Sequence, residues 1–230
     1  MPQTYVIGDI HGAYKALIQC LDRSGFDYDT DHLICLGDVC DGWPDTKLCI
    51  DELLTIKNLT YILGNHDLWL LNWLRSNKVE DVWVRQGGAA TISSYNDGVP
   101  VTHLQFLERA LPYFLFENKL FVHAGFDPGR ALDDQEVRIF LWDRTLIQQA
   151  WKFLILEVNT KLTKYNEVYI GHTPIPFDKP MQSCEIWMMD TGAGWSGVLS
   201  LMNVYTKQIF TSDRVPLLYP GFEGRIKKNV

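Results

Sequence analysis

Five short polar stretches in this chain, each at the exit of a β-type apolar run, carry side chains able to do chemistry. They are Asp9-Ile-His11, Asp38-Val-Cys-Asp41, Gly64-Asn-His-Asp67, His123 and His172. Pooled, they offer carboxylate, imidazole and amide groups. That mixture suits divalent cations such as Mn²⁺, Zn²⁺ or Fe, and not a soft thiolate site. Two cations need one anion between them and several further ligands each, and this inventory meets the need. His66 adds a proton donor that works near neutral pH. Singly each stretch is weak, because Gly, Asn and Asp also make turns and a lone His is more often structural than ligating. Their weight comes from convergence, since the strands of one sheet bring distant exits to one edge.

The elements that must position them follow a β-α-β-α-β rhythm. Thr4 to Ile7, His32 to Leu36 and Leu59 to Leu63 read as strands, with helical apolar spacing over Ala13 to Leu21 and Leu68 to Leu74. Pro44 is placed to open the helix between the second and third strands, with Leu48, Ile50, Leu53 and Leu54 facing inward. Gly64 is expected to supply a tight turn. Val79 to Asn96 reads as a loop with a short helix, and Thr102 to Leu111 as a helix. Pro112 to Phe116 and Leu120 to His123 form a strand pair. Thr145 to about Tyr165 is the longest helical pattern, with Leu146, Ala150, Phe153, Leu154 and Val158 on one side. Further strands fall at Glu167 to Ile170, Ile186 to Met189 and within Val198 to Phe210. Alternating strands and helices predict an α/β fold. No linker or repeat divides the chain, so one domain over 1–230 is expected.

With 230 residues, 47% hydrophobic and 21% charged, the chain can bury a sizeable core. A net charge of −7 gives no reason to expect nucleic acid or an anionic membrane as partner. The one basic cluster, Arg225-Ile-Lys-Lys228, is read as a solvated tail. Five cysteines without C-x-x-C spacing suit free thiols in a reducing compartment. No signal peptide or membrane-spanning run is legible, and a cytoplasmic location is expected.

The ordered set Asp9-x-His11, Gly37-Asp38-x-x-Asp41, Gly64-Asn-His-Asp67, His123-Ala-Gly125 and Gly171-His-Thr173 resembles the calcineurin-like metallophosphoesterases, specifically the phosphoprotein phosphatase branch. Gly87-Gly88-x-x-Thr91, Leu141-Trp-x-Arg144 and Asp190-Thr-Gly192 are similar to its bacterial and phage members. The resemblance implies an α/β sandwich of two mixed β-sheets flanked by helices, around a binuclear metal centre. Asp9, His11 and Asp38 would hold the first metal, and Asp38, Asn65, His123 and His172 the second. Two divalent ions, Mn²⁺ first among them, would activate a bridging water as nucleophile. His66 would be the general acid, with Asp41 orienting it and raising its pKa. Arg144 would bind the substrate phosphate.

The chain departs from that pattern in one place that matters. Many relatives carry Arg directly after the second Asp of G-D-x-x-D, where this chain has Gly42, then Trp43-Pro44. One arm of the usual phosphate clamp is missing, with Arg75, Lys47 and Arg85 as candidates to fill the gap. Trp43 and Trp195 follow motif glycines and are open as stacking surfaces for substrate. The resemblance implies a serine/threonine protein phosphatase-like enzyme acting on phosphorylated protein or small phosphoesters. The alternatives are a symmetrical diadenosine tetraphosphate hydrolase or another phosphoanhydride hydrolase, and, third, a non-catalytic scaffold.

Overall fold

The computed structural model of the chain describes residues 1–225. Two five-stranded mixed sheets lie face to face. The first runs β10-β9-β1-β2-β3 and the second β4-β5-β6-β8-β7. In the first sheet β1 (Thr4–Ile7), β2 (His32–Cys35) and β3 (Asn58–Tyr61) are parallel, while β9 (Ser200–Asn203) and β10 (Ile209–Thr211) run antiparallel to their neighbours. In the second, β5 (Lys119–Val122), β6 (Glu167–Ile170) and β8 (Ile186–Met188) are parallel. The edge strands β4 (Tyr113–Phe116) and β7 (Met181–Ser183) pair antiparallel.

Alternation along each strand sorts the side chains into layers. Val6, Ile34 and Met202 of the first sheet meet Phe121, Tyr169 and Trp187 of the second in a shared core. There the Phe121 and Tyr169 rings stack at 4.6 Å. The opposite faces carry Ile7, Leu33 and Cys35 under α1 (Tyr14–Ser24), α2 (Thr46–Leu53) and α3 (Asn65–Ser76). Val122, Val168 and Ile170 lie under the helix Thr145–Ile155. Both sheets are therefore covered on both faces, which is why their strands read as continuous apolar runs.

Three local expectations are corrected. The helix from Thr145 stops at Ile155, ten residues short of Tyr165, and α3 is longer. Ile155, Leu156 and Val158 are exposed, so the apolar spacing ceases to face the core, and Glu157 turns into the left-handed region at φ 55°. Pro44 lies outside α2, which begins at Thr46 after Asp45, and Leu48 and Leu54 point outward while Cys49, Ile50 and Leu53 are buried. The helix expected from Leu68 begins at Asn65, so Asn65 and His66 sit in its first turn. All five cysteines are unpaired, and no helix of the described residues is long and apolar enough to cross a membrane.

Candidate active site

Parallel strands deliver their C-terminal ends to one edge, and here two sheets do so side by side. From the first come Asp9 and His11 after β1, Asp38 and Asp41 after β2, and Asn65 and His66 after β3; from the second come His123 after β5 and His172 after β6. Ligand atoms of Asp9, His11 and Asp38 lie within 4.8 Å of one another, as do those of Asp38, His123 and His172. Asp38 belongs to both groups. The Asn65 amide oxygen stands 3.1 Å from His123 Nε2. All six residues are buried.

The donor set fits divalent cations. His11 and His123 donate Nδ1–H to the carbonyls of Cys40 and Leu36, each at 2.8 Å, which turns their Nε2 lone pairs toward the cluster. His172 Nε2 is buried without a hydrogen-bond partner, a costly state for a polar atom unless a ligand takes its lone pair. Burial pushes the Asp9 carboxyl well above its usual range, with Asp190 and Asp38 adding repulsion. The same cause lifts Asp38 to about 7 and Asp190 to about 6. Burial drives His11 and His172 down and lowers His123 to about 4. Carboxylates crowded out of water beside neutral imidazoles form a site whose charge a pair of cations would balance.

This packing is paid for in the backbone. His11, Asp38, Asp41 and His172 all hold positive φ, between 52° and 73°, which non-glycine residues adopt rarely and keep where surrounding structure compels it. Gly64 has an ordinary φ of −96°, so the expected turn is not its reason for being there. A Cβ on it would lie 2.1 Å from Asp38 Oδ1, and one on Gly171 would lie 2.3 Å from Asp9 Oδ1. Both glycines let strand ends close on the carboxylates. Asp67 brackets the loops: its carboxylate accepts the backbone N–H groups of Asp38, Val39 and Gly64 and the Tyr61 hydroxyl. The first turn of α3 then presents the His66 N–H to Asp38 Oδ1 at 2.9 Å, where the helix N-terminus favours an anion.

His66 and Asp41 form the expected pair, with Nδ1 and Oδ2 2.6 Å apart. The expected rise in the histidine pKa is overturned. Burial, followed by the charges of Arg225, His123 and Arg144, holds His66 well below its usual value, while burial lifts Asp41 to about 7. The Nδ1 contact to Asp41 fixes the orientation of the imidazole. Two groups the sequence reading did not assign hold Asp41: Trp83 Nε1–H donates to its carboxylate at 2.8 Å, and the Thr91 hydroxyl donates to Oδ1 at 2.7 Å. Thr91 also accepts the Asp41 N–H at 2.9 Å. Thr91→Val keeps the shape, strands the buried Asp41 N–H and removes one of the two donors to Asp41 Oδ1, so it is expected to destabilise the fold by about 1–3 kcal/mol, read as a drop in denaturation midpoint.

A cleft of about 870 Å³ opens beside the cluster, lined by Arg144, His172, Trp195, Phe177, Phe222 and Arg225 among others. Arg144 is among the residues that line this cleft. Arg75 and Lys47 are committed to Glu108 and Asp51 at 2.9 and 2.8 Å, and neither they nor Arg85 line the cleft. Trp43 cannot stack on substrate: it is fully buried, stacked on Tyr219 with ring centres 5.3 Å apart, and donates to the Ala193 carbonyl. The tail reading also fails for Arg225, whose Nη1 reaches 3.2 Å from His11 Nε2. Ile226 to Lys228 lie outside the described residues.

A pair of mixed sheets lies between helices, with clustered metal-ligand candidates at their shared edge. A family model for calcineurin-like phosphoesterases matches residues 3–197, and the chain belongs to that family, whose hydrolases use divalent metal ions. The serine/threonine-protein phosphatase 1 of Salmonella typhimurium is 26% identical over 208 residues, covering 87% of this chain and 91% of the relative. The symmetrical bis(5'-nucleosyl)-tetraphosphatase of Haemophilus ducreyi is 24% identical over 272 residues, covering 92% and 99%. Among solved structures, one proposed to be a diadenosine tetraphosphatase superposes with a TM-score of 0.69 at 18% identity, covering 92% of this chain and 95% of that one. At that identity the superposition speaks for the fold.

Proposed function

We propose that this chain is a two-metal hydrolase of phosphomonoesters, of the serine/threonine protein phosphatase type, acting as one catalytic domain in the cytoplasm without a nucleic-acid or membrane partner. The observation that carries the proposal is Asp38, buried and within ligand reach of both residue groups, with the His66–Asp41 pair hydrogen-bonded beside it. In this reading Asp9, His11 and Asp38 hold one Mn²⁺, and Asp38, Asn65, His123 and His172 the other. Bound there, the ions would activate water and neutralise phosphate charge. Arg144 grips phosphate oxygens, His66 donates a proton to the leaving oxygen, and Asp41, fixed by Trp83 and Thr91, aims the imidazole. The monoester reading is supported by length. The phosphatase relative aligns almost end to end over 208 positions, whereas the tetraphosphatase alignment needs 272 positions for a 230-residue chain and so includes segments this chain lacks.

A second reading, symmetrical hydrolysis of diadenosine tetraphosphate, draws on the rim of the cleft. Phe177 and Phe222 line it and are 44% and 54% exposed, so two aromatic surfaces stand where a base could stack. Several further relatives also carry the tetraphosphatase name. Turnover of a phosphoserine peptide and of diadenosine tetraphosphate, side by side with Mn²⁺, decides between them. The expected result is peptide dephosphorylation with the dinucleotide slower. Turnover of the dinucleotide alone replaces the first reading with the second.

A further inference from the structure

Gly42 leaves a slot, and the C-terminal stretch fills it. Gly42 holds φ 114°, where a side chain is strained, and a Cβ there would lie 3.0 Å from Arg225 Cγ. A Cβ on Gly87, across the slot, would lie 3.3 Å from the same atom. The stretch leading to Arg225 is fastened: Tyr219 stacks on buried Trp43, and the Arg225 N–H donates to the Gly194 carbonyl at 2.9 Å. The guanidinium lies over the Trp195 ring, 4.8 Å from its centre, and Nη2 donates to Gln86 Oε1 at 3.1 Å. Nη1 faces His11 Nε2, and Nε is buried with no hydrogen-bond partner. A buried, unpaired guanidinium N–H is an unmet donor, and Nη1 is the atom turned to the cluster.

We propose that Arg225 is the second phosphate-binding arm of this site, laid over the hydrogen-bonded Gly42–Gly87 backbone, where neither residue has a side chain to block it, to work with Arg144; the proposal rests on the phosphoester hydrolase reading. A cation on His11 takes the Nε2 lone pair that now faces Nη1. Nη1 is then released to donate to a phosphate oxygen, charge-assisted, while Nη2 stays on Gln86. Gln86 and the Trp195 face hold the rest of the head in place. A lysine could supply the charge but not the planar head that bonds Gln86 and lies over Trp195 while still donating through a second nitrogen.

The test is titration calorimetry of inorganic phosphate into Mn²⁺-loaded wild type, Arg225→Ala and Arg225→Lys, with Mn²⁺ binding to each measured separately. Arg225→Ala is expected to weaken phosphate binding at least about tenfold, and Arg225→Lys to fall between, with two Mn²⁺ still bound and the melting temperature kept. Phosphate affinity unchanged in Arg225→Ala, with only tighter Mn²⁺ binding, overturns the proposal and makes the residue a place-holder for the cation. Wild type that binds phosphate through Arg225 but cleaves no phosphopeptide leaves the arm standing and sinks the monoester reading instead. Wild type that binds no phosphate sinks both.

Discussion

His66→Ala is expected to retain both metal ions and to lose about 10²- to 10⁴-fold in kcat on an alkyl phosphate such as a phosphoserine peptide. The loss should shrink on p-nitrophenyl phosphate, whose leaving oxygen needs little help from an acid. This pattern follows from geometry. The imidazole is not among the clustered ligand atoms, but it sits one residue after Asn65, is held by Asp41 at 2.6 Å, and lies edge-on to the His11 ring at 5.1 Å. Removing it deletes the proton donor and leaves the Asp38, His123 and His172 group intact. Parallel kinetics on the two substrates, with metal analysis of the purified variant, make the measurement. An undiminished rate on the alkyl substrate ends the general-acid assignment.

Asp38→Asn should have the larger effect on metal. It replaces the carboxylate common to both groups with an uncharged amide, so Mn²⁺ content is expected to fall from two per chain to below one. In wild type, each bound Mn²⁺ at a hundred times its dissociation constant adds about 2.7 kcal/mol, or roughly 5–10 °C in Tm for a domain of this size. In the variant that rise should vanish. The metal-free proteins should order the other way. Burial lifts the Asp38 carboxyl to about 7, so its contribution to stability is present at acid pH and is lost as pH rises through that value. At pH 8 metal-free wild type therefore carries a cost that metal-free Asp38→Asn lacks, and the variant should melt higher. Two tightly held ions in Asp38→Asn would contradict the shared-ligand role.

Much of this site was legible because its residues are local in sequence. Asp9, His11, Asp38, Asn65, His123 and His172 each follow a strand whose apolar run is visible, and parallel pairing does the rest. What escaped were contacts made across the chain. Trp83 and Thr91 reach Asp41 over 42 and 50 residues, and a tryptophan in an irregular stretch does not announce a carboxylate partner. Asp67 stood in the motif, but only the folded loops reveal its four donors. Arg225 lay in a basic run with the composition of a solvated end, and its approach to His11 depends on the pairing of Gly42 with Gly87 beneath it. The overlong helix after Thr145 has a simpler cause: Val158, beyond the point where the chain leaves the core, keeps helical spacing with Leu154, which still packs on it.

The two ligand groups differ in one respect that reaches beyond chemistry. Asp9, His11 and Asp38 all leave the first sheet, whereas Asp38 and Asn65 face His123 and His172 across the divide from the second. The first ion would tie neighbouring loops of a single layer; the second would act as a rivet between layers, beside the His172 N–H that already crosses to the Asp9 carboxylate at 3.0 Å. Losing the rivet would remove a tie between the layers at the reacting groups, where the shared core of Val6, Ile34, Phe121 and Tyr169 does not reach, so the two ions would be unequal in their mechanical consequences.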